Sequence, residues 1–256
     1  MILPLFDDNS DRRTLPLVNY ALIALNIFVF VFCQHMAEDA RFTMTWSTVP
    51  KEILTGQDIQ TEPKVIGKLR NGEQVIMPGL EQTPISVYLT LFTSMFMHGG
   101  LGHILGNMLF LWIFGDNVED RLGHARYLLF YLACGIAASL AHVAVCVMFQ
   151  TNLLTPSLGA SGAISGVMGA YAFFFPNKSV TVLMFRFITT VPAFVAVGLW
   201  FLFQVISGST AVGGKQGGGV AYGAHIGGFL FGIPLGILLD ARRKNPQPEW
   251  LEQNRP

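Results

Sequence analysis

Residues 15–32 run eighteen positions without a charged side chain. That is close to the ~20 residues a helix needs to cross the hydrocarbon of a bilayer. Comparable runs recur at about 101–114, 127–149, 161–175, 192–206 and 220–239. Charged residues make up 12% of the chain, about half the usual share in soluble domains. Such a sequence cannot cover a water-facing surface, so lipid is its expected solvent. The reading is an all-α membrane protein, a six-transmembrane-helix bundle around one embedded core. A polar segment, residues 1–14, precedes the membrane domain at 15–240, and a tail, 241–256, follows it.

A secretory signal peptide is the competing reading of the first run. The leading segment argues against it, because Asp7, Asp8 and Asp11 offset Arg12 and Arg13, and no small-residue cleavage site follows. Residues 38–84 form a long polar loop with interspersed apolar residues, expected to be structured at the membrane surface, with a hairpin turning at Asn71-Gly72. Arg186, inside the apolar stretch 180–187, is expected to snorkel to the interface. The Gly-rich stretch 207–219 reads as a mobile loop and, from Gly208 onward, as a hinge for substrate entry.

An even number of spans puts both termini on one side. Arg12, Arg13, Arg121, Arg126, Lys178 and the Arg242-Arg243-Lys244 cluster all fall there, which makes that side cytoplasmic. Ser161 then faces the outer leaflet. The compact layout suggests a bacterial plasma (inner) membrane. Net charge is zero without a basic block, so nucleic acid is not an expected partner. Cys33, Cys134 and Cys146 lie in apolar runs and read as core residues rather than disulfides or metal ligands. No cofactor and no metal is called for.

Two apolar segments carry chemistry. The fourth opens with Gly159-Ala160-Ser161-Gly162, and the sixth holds His225 within Gly223-Ala224-His225-Ile226-Gly227-Gly228. Histidine at membrane depth is costly and marks function by default. Gly162, Gly166 and Ala170 recur every four residues, as do Ala224, Gly228, Gly232 and Gly236, giving each helix a smooth stripe. Stripes of this kind let helices approach closely. Ser161 flanks one stripe and His225 the other, so packing the two faces would bring hydroxyl and imidazole together, as activation of a serine requires. Ser165, one turn on, is a rival nucleophile.

His103 and Asn107 share a helix face in the second span. They are either donors for a developing oxyanion, with the Ser161 backbone N–H beside them, or an interhelical hydrogen bond of structural purpose. His98 braces the loop before them. His142 reads as a bonded packing residue, and His35 and His124 as solvated. No carboxylate lies mid-span, which points to a Ser–His dyad rather than a triad.

In order, His98 through His103 to Asn107, then Gly159-Ala160-Ser161-Gly162, then Ala224-His225-x-x-Gly228-x-x-x-Gly232 resemble the rhomboid family of intramembrane serine proteases. The resemblance covers residues 15–240. It implies a six-helix rhomboid-like bundle, a catalytic Ser161–His225 dyad, oxyanion stabilisation by His103 and Asn107, and a structural role for His98. The implied partners are single-pass membrane protein substrates, cut in or near the outer part of their transmembrane helix. Two departures stand out. Tyr88-Leu89-Thr90-Leu91 replaces the family's Trp-Arg pair, so the loop must be anchored differently. Ser165 stands where an aromatic often covers the catalytic histidine, leaving Tyr222 or Trp200 to do so.

Two rivals remain at this stage. A catalytically inactive rhomboid-like protein would bind transmembrane helices, but such relatives typically lose the serine or the histidine. A small-solute transporter would need ionisable residues along a path across the bilayer.

Overall fold

Each of the six apolar runs folds as a helix, since backbone groups removed from water must pair within their own segment. The structure, a computed structural model, describes residues 2–68, 72, 74–184, 186–212 and 221–240. Strand β1 (Ile2–Asp7) precedes helix α1 (Leu17–Phe28), which ends in a π turn at Val29–Cys33. The first loop holds helices α2 (Ala40–Trp46) and α3 (Pro50–Thr55) and a hairpin of β2 (Lys64–Lys68) and β3 (Gln74–Met77). Short α4 (Thr90–Thr93) leads into α5 (Leu101–Leu122), α6 (His124–Met148) and α7 (Ser161–Phe174). Strands β4 (Ser179–Met184) and β5 (Phe187–Pro192) lie between α7 and α8 (Ala193–Val212), and α9 (Tyr222–Leu239) closes the bundle. Among the described residues, α6, α9 and residues 193–210 of α8 are long and apolar enough to cross a membrane.

Helix α7 is the centre. Every residue from Gly162 to Tyr171 is buried, walled in by α5, α6, α8 and α9. The two glycine stripes meet as their spacing predicts. A Cβ on Gly232 would lie 2.2 Å from the Gly166 carbonyl oxygen, and one on Gly228 would lie 2.1 Å from that of Gly162. One turn further, a Cβ on Gly236 would stand 3.1 Å from that of Ala170. Backbone therefore packs on backbone along the α7–α9 seam, where any side chain would wedge the helices apart.

The end of the bundle away from Ser161 is held by polar groups. Strand β1 pairs antiparallel with β4, and β4 with β5. Asp7 accepts the Tyr171 hydroxyl (2.6 Å) and the Asn117 amide (2.8 Å). Arg12 pairs with Asp116 at 2.6 Å, and Arg121 pairs with Asp240 at 2.7 Å. Glu119 accepts the backbone N–H groups of Val18 and Asn19 at 2.9 and 2.7 Å, which satisfies donors left open at the start of α1.

Several expectations need correction. The protein is not purely helical, because β1–β4–β5 and β2–β3 form two small sheets. Residues 180–184 and 187 are strand, and Arg186 is an exposed turn residue between β4 and β5. Val180, Thr181 and Val182 are all buried, as in a central strand paired with β1 on one side and β5 on the other. Residues 2–7 of the polar N-terminal segment are strand as well. Helix α8 runs on through residues 207–212, which shortens the expected mobile loop. The hairpin in the first loop forms where expected. Asn71 of its turn, Lys215 with the rest of the Gly-rich stretch 213–219, and the 241–256 tail with Arg242, Arg243 and Lys244 lie outside the described residues. The three cysteines carry free thiols.

Candidate active site

Ser161 is the first residue of α7, where helix N–H groups have no intrahelical partner. The chain reaches it through Gly159, whose φ of +121° suits glycine and whose N–H donates to the Ser94 carbonyl at 2.9 Å. His225 stands in the first turn of α9, across the glycine seam. Its Nε2 is 2.8 Å from Ser161 Oγ. Backbone-to-backbone contact makes this reach possible, since ordinary helix spacing would hold the two short-armed groups apart.

His225 Nδ1 lies 2.7 Å from Gln204 Oε1 on α8. Trp200, one turn before Gln204, lays its ring against the imidazole, with centroids 6.0 Å apart and planes 34° apart. Tyr222 meets the same ring edge-on at 6.4 Å. Both aromatics thus cover the imidazole in place of one at Ser165. Ser165 itself is fully buried, and its hydroxyl donates to the Ser161 carbonyl at 2.6 Å. It is occupied as helix back-bonding and does not compete with Ser161.

His103 stands in the first turn of α5. Its Nδ1 accepts the Gly99 N–H at 3.2 Å, so the neutral ring carries its proton on Nε2. That atom would lie 3.0 Å from a Cβ on Gly159, close beside the serine. Asn107 Nδ2 donates to the His103 carbonyl at 3.0 Å and keeps a second N–H. Both residues line a cavity of about 1240 Å³ that also reaches Ser161, His225, Gln204 and Trp200. The donors and the nucleophile therefore share one space.

His98 is buried outside this space, and among the described residues neither of its ring nitrogens has a hydrogen-bond partner. Gln34, just past the π turn, clamps its peptide. Gln34 Oε1 accepts the His98 N–H at 2.8 Å, while Nε2 donates to the His98 carbonyl at 3.1 Å. The His98 ring abuts His103 edge-on at 5.2 Å. Without the Trp-Arg pair, hydroxyls tether the loop instead. Thr48 Oγ1 lies 2.9 Å from the Thr90 carbonyl and 2.8 Å from Ser94 Oγ, and Thr93 Oγ1 donates to the Trp46 carbonyl at 2.8 Å. His142 lines the cavity with Cys146 3.6 Å away; His35 is largely solvent-facing near Asp39, whereas His124 is half-exposed and bonds the buried Glu119 carboxylate.

The sequence reading missed Gln204 and Gln34. A search for a third member confined to carboxylates passes over an amide. The signal for Gln204 was its position, a lone amide in an apolar helix, four residues from Trp200 and four from Gly208.

A helical membrane protein with a preassembled hydroxyl–imidazole pair lining a cavity is the class this geometry defines. Residues 86–242 match the model of the Rhomboid domain, and the chain belongs to the rhomboid family. It is 30% identical over 158 residues to Rhomboid protein 1, mitochondrial, of Saccharomyces cerevisiae, covering 61% of this chain and 43% of that protein. It is 32% identical over 181 residues to Rhomboid protease GluP of Bacillus subtilis, covering 68% of this chain and 32% of that one. RHOMBOID-like protein 6, mitochondrial, of Arabidopsis thaliana is 30% identical over 169 residues, covering 63% and 46%. The chain thus spans less than half the length of these relatives. Mitochondrial proteins stand beside a bacterial one, so the expectation of a bacterial plasma membrane gains no support.

Proposed function

We propose that this protein is an intramembrane serine endopeptidase that hydrolyses peptide bonds in or near the transmembrane helices of single-pass membrane proteins. The observation that carries the reading is the 2.8 Å approach of Ser161 Oγ to His225 Nε2 at a cavity that His103 and Asn107 also line. The name Rhomboid protease, borne by the Bacillus subtilis relative, supports it. In this reading all six helices, α1 and α5 to α9, span the bilayer as one membrane domain, residues 15–240. Both termini lie on the side of the positive residues, and Ser161 opens toward the other.

His225 takes the Ser161 proton as Oγ attacks the scissile carbonyl. The tetrahedral oxyanion forms beside His103 Nε2–H, the free N–H of Asn107 and the Ser161 backbone N–H. His225 then protonates the leaving amine, and a water activated by the same imidazole hydrolyses the acyl-enzyme. Helical carbonyls are already bonded, so a substrate helix must unwind at the cut, and helix-breaking residues there assist.

The test is labelling by a fluorophosphonate probe in detergent, together with cleavage of helix-destabilised single-span substrates in liposomes. Both activities are expected in wild type and lost in Ser161→Ala and His225→Ala. Wild type that neither labels nor cleaves would overturn the enzyme reading in favour of a protein that binds transmembrane helices.

A further inference from the structure

The hydrolase reading leaves one question of proton bookkeeping open. A neutral imidazole can take the Ser161 proton on Nε2 only if its own proton sits on Nδ1. In water the two tautomers interconvert, and a dyad without a third group would spend part of its time with Nε2 already protonated. Something must hold the Nδ1–H form.

We propose that Gln204 is the positioning residue of the dyad, its Oε1 accepting the His225 Nδ1 proton and so leaving the Nε2 lone pair aimed at Ser161. The inference rests on the serine-hydrolase reading of the site. Four observations support it. Gln204 Oε1 lies 2.7 Å from Nδ1, a short and full hydrogen bond. Gln204 is 6% exposed, so water competes little for that contact. Trp200, Gln204 and Gly208 follow one another at four-residue intervals and therefore present one face of α8. Each touches the His225 unit. Trp200 covers the ring face, Gln204 holds Nδ1, and Gly208 leaves room for Tyr222, whose Cβ would be 3.0 Å from a Cβ added there. This face of α8 is a cradle for one imidazole.

The chemistry explains why the third group is an amide. A carboxylate would hold Nδ1–H more strongly and stabilise the imidazolium that forms during attack, as in the soluble triad. At membrane depth an ionised carboxylate is strongly disfavoured. An amide oxygen supplies the acceptor and the tautomer without the charge. When Ser161 transfers its proton to Nε2, the Nδ1–H bond to Gln204 stays in place, so no second proton moves.

Two measurements test this. First, the 15N shifts of His225, in protein with labelled histidine, report the tautomer whether or not the protein turns over. Wild type is expected in the Nδ1–H form, and Gln204→Leu in a mixed or Nε2–H form. An Nε2–H wild type, or an unchanged tautomer in Gln204→Leu, would overturn the proposal even in an active protease. Second, fluorophosphonate labelling separates the maximal inactivation rate from the half-saturating probe concentration. Gln204→Leu is expected to lower the rate about 10- to 100-fold, the range seen when the hydrogen-bond partner behind a metal-bound imidazole is removed, with half-saturation within about twofold. Gln204→Glu keeps the acceptor and is expected to recover most of the rate. Leu and Glu variants equally impaired, with the tautomer unmoved, would reduce Gln204 to packing. Wild type in the Nδ1–H form that neither labels nor cleaves would sink the protease reading and leave the tautomer assignment standing.

Discussion

The Gly99 N–H donates to His103 Nδ1 at 3.2 Å, and this bond decides which way the ring offers its proton. With Nδ1 accepting, Nε2–H is turned toward Gly159 and the mouth of α7. The direction of this N–H, the proposed oxyanion donor, is thus set by a backbone bond from the loop before α5, and the loop is held in turn by the Gln34 clamp on His98.

Gly159→Ala should therefore strike the site directly. The new methyl would stand 3.0 Å from His103 Cε1 and Nε2, at a φ of +121° that a side chain tolerates poorly. The expected outcome is a loss of probe labelling of about 100-fold or more, with a stability cost of about 1–3 kcal/mol from backbone strain. Labelling rates and thermal unfolding in detergent measure the two effects separately.

Ser165→Ala should leave labelling within about twofold of wild type and cost below about 1 kcal/mol, the usual size of a helix-embedded hydroxyl bond. Its hydroxyl is spent on the Ser161 carbonyl. Labelling that survives in Ser161→Ala but vanishes in Ser165→Ala would reassign the nucleophile.

The α7–α9 seam predicts a sharp contrast between glycines. Gly232→Ala would press a methyl onto the Gly166 carbonyl oxygen at 2.2 Å. Overpacking of this kind costs about 1–3 kcal/mol or more, and movement of α9 would carry His225 away from Ser161, so labelling should fall with stability. Gly198→Ala on α8 meets nothing within 4 Å. It should be neutral or stabilising by up to about 1 kcal/mol. Equal effects at the two positions, read by unfolding in mixed micelles, would contradict the backbone-packed seam.

Asp7 gives a pH dependence at the opposite end. Burial pushes its carboxyl up to about 7, partly offset by the Tyr171 hydroxyl, with Asp116 raising it further and Lys178 lowering it. A carboxyl with a raised folded pKa binds its proton more tightly folded than unfolded. Its contribution to stability is therefore fullest at low pH, declines from about pH 4 to 7, and is flat above. Protection of the β1 amides from hydrogen exchange, corrected for intrinsic rate, should fall between about pH 4 and 7. Asp7→Asn mimics the protonated form and should remove that dependence. A wild-type profile as flat as that of the variant would count against it.

The helices, the glycine stripes and the dyad were legible in the chain because each has a period or a cost that sequence records. Uncharged runs of helix length can satisfy their backbone in lipid in few ways, and Gly162-Gly166 and Gly228-Gly232 repeat at the interval that makes a face. Histidine at depth in an apolar run announces itself by its cost. The β1–β4–β5 sheet was less visible. Residues 2–7 and 180–184 are short stretches that fit several structures, and only their pairing, far apart in sequence, makes them strands.

What the sequence determined alone was that Ser161 and His225 lie on faces able to meet. Which atoms meet was decided by tertiary structure. A hydrogen bond has a reach of about 3 Å, and residues 64 positions apart are brought within it by the packing of whole helices. The same packing supplied Gln204 as the partner of Nδ1, assigned Ser165 to its own helix, and turned His103 toward Gly159. Periodicity can place a side chain on a face, but its partner and proton direction depend on the atoms that fold against that face.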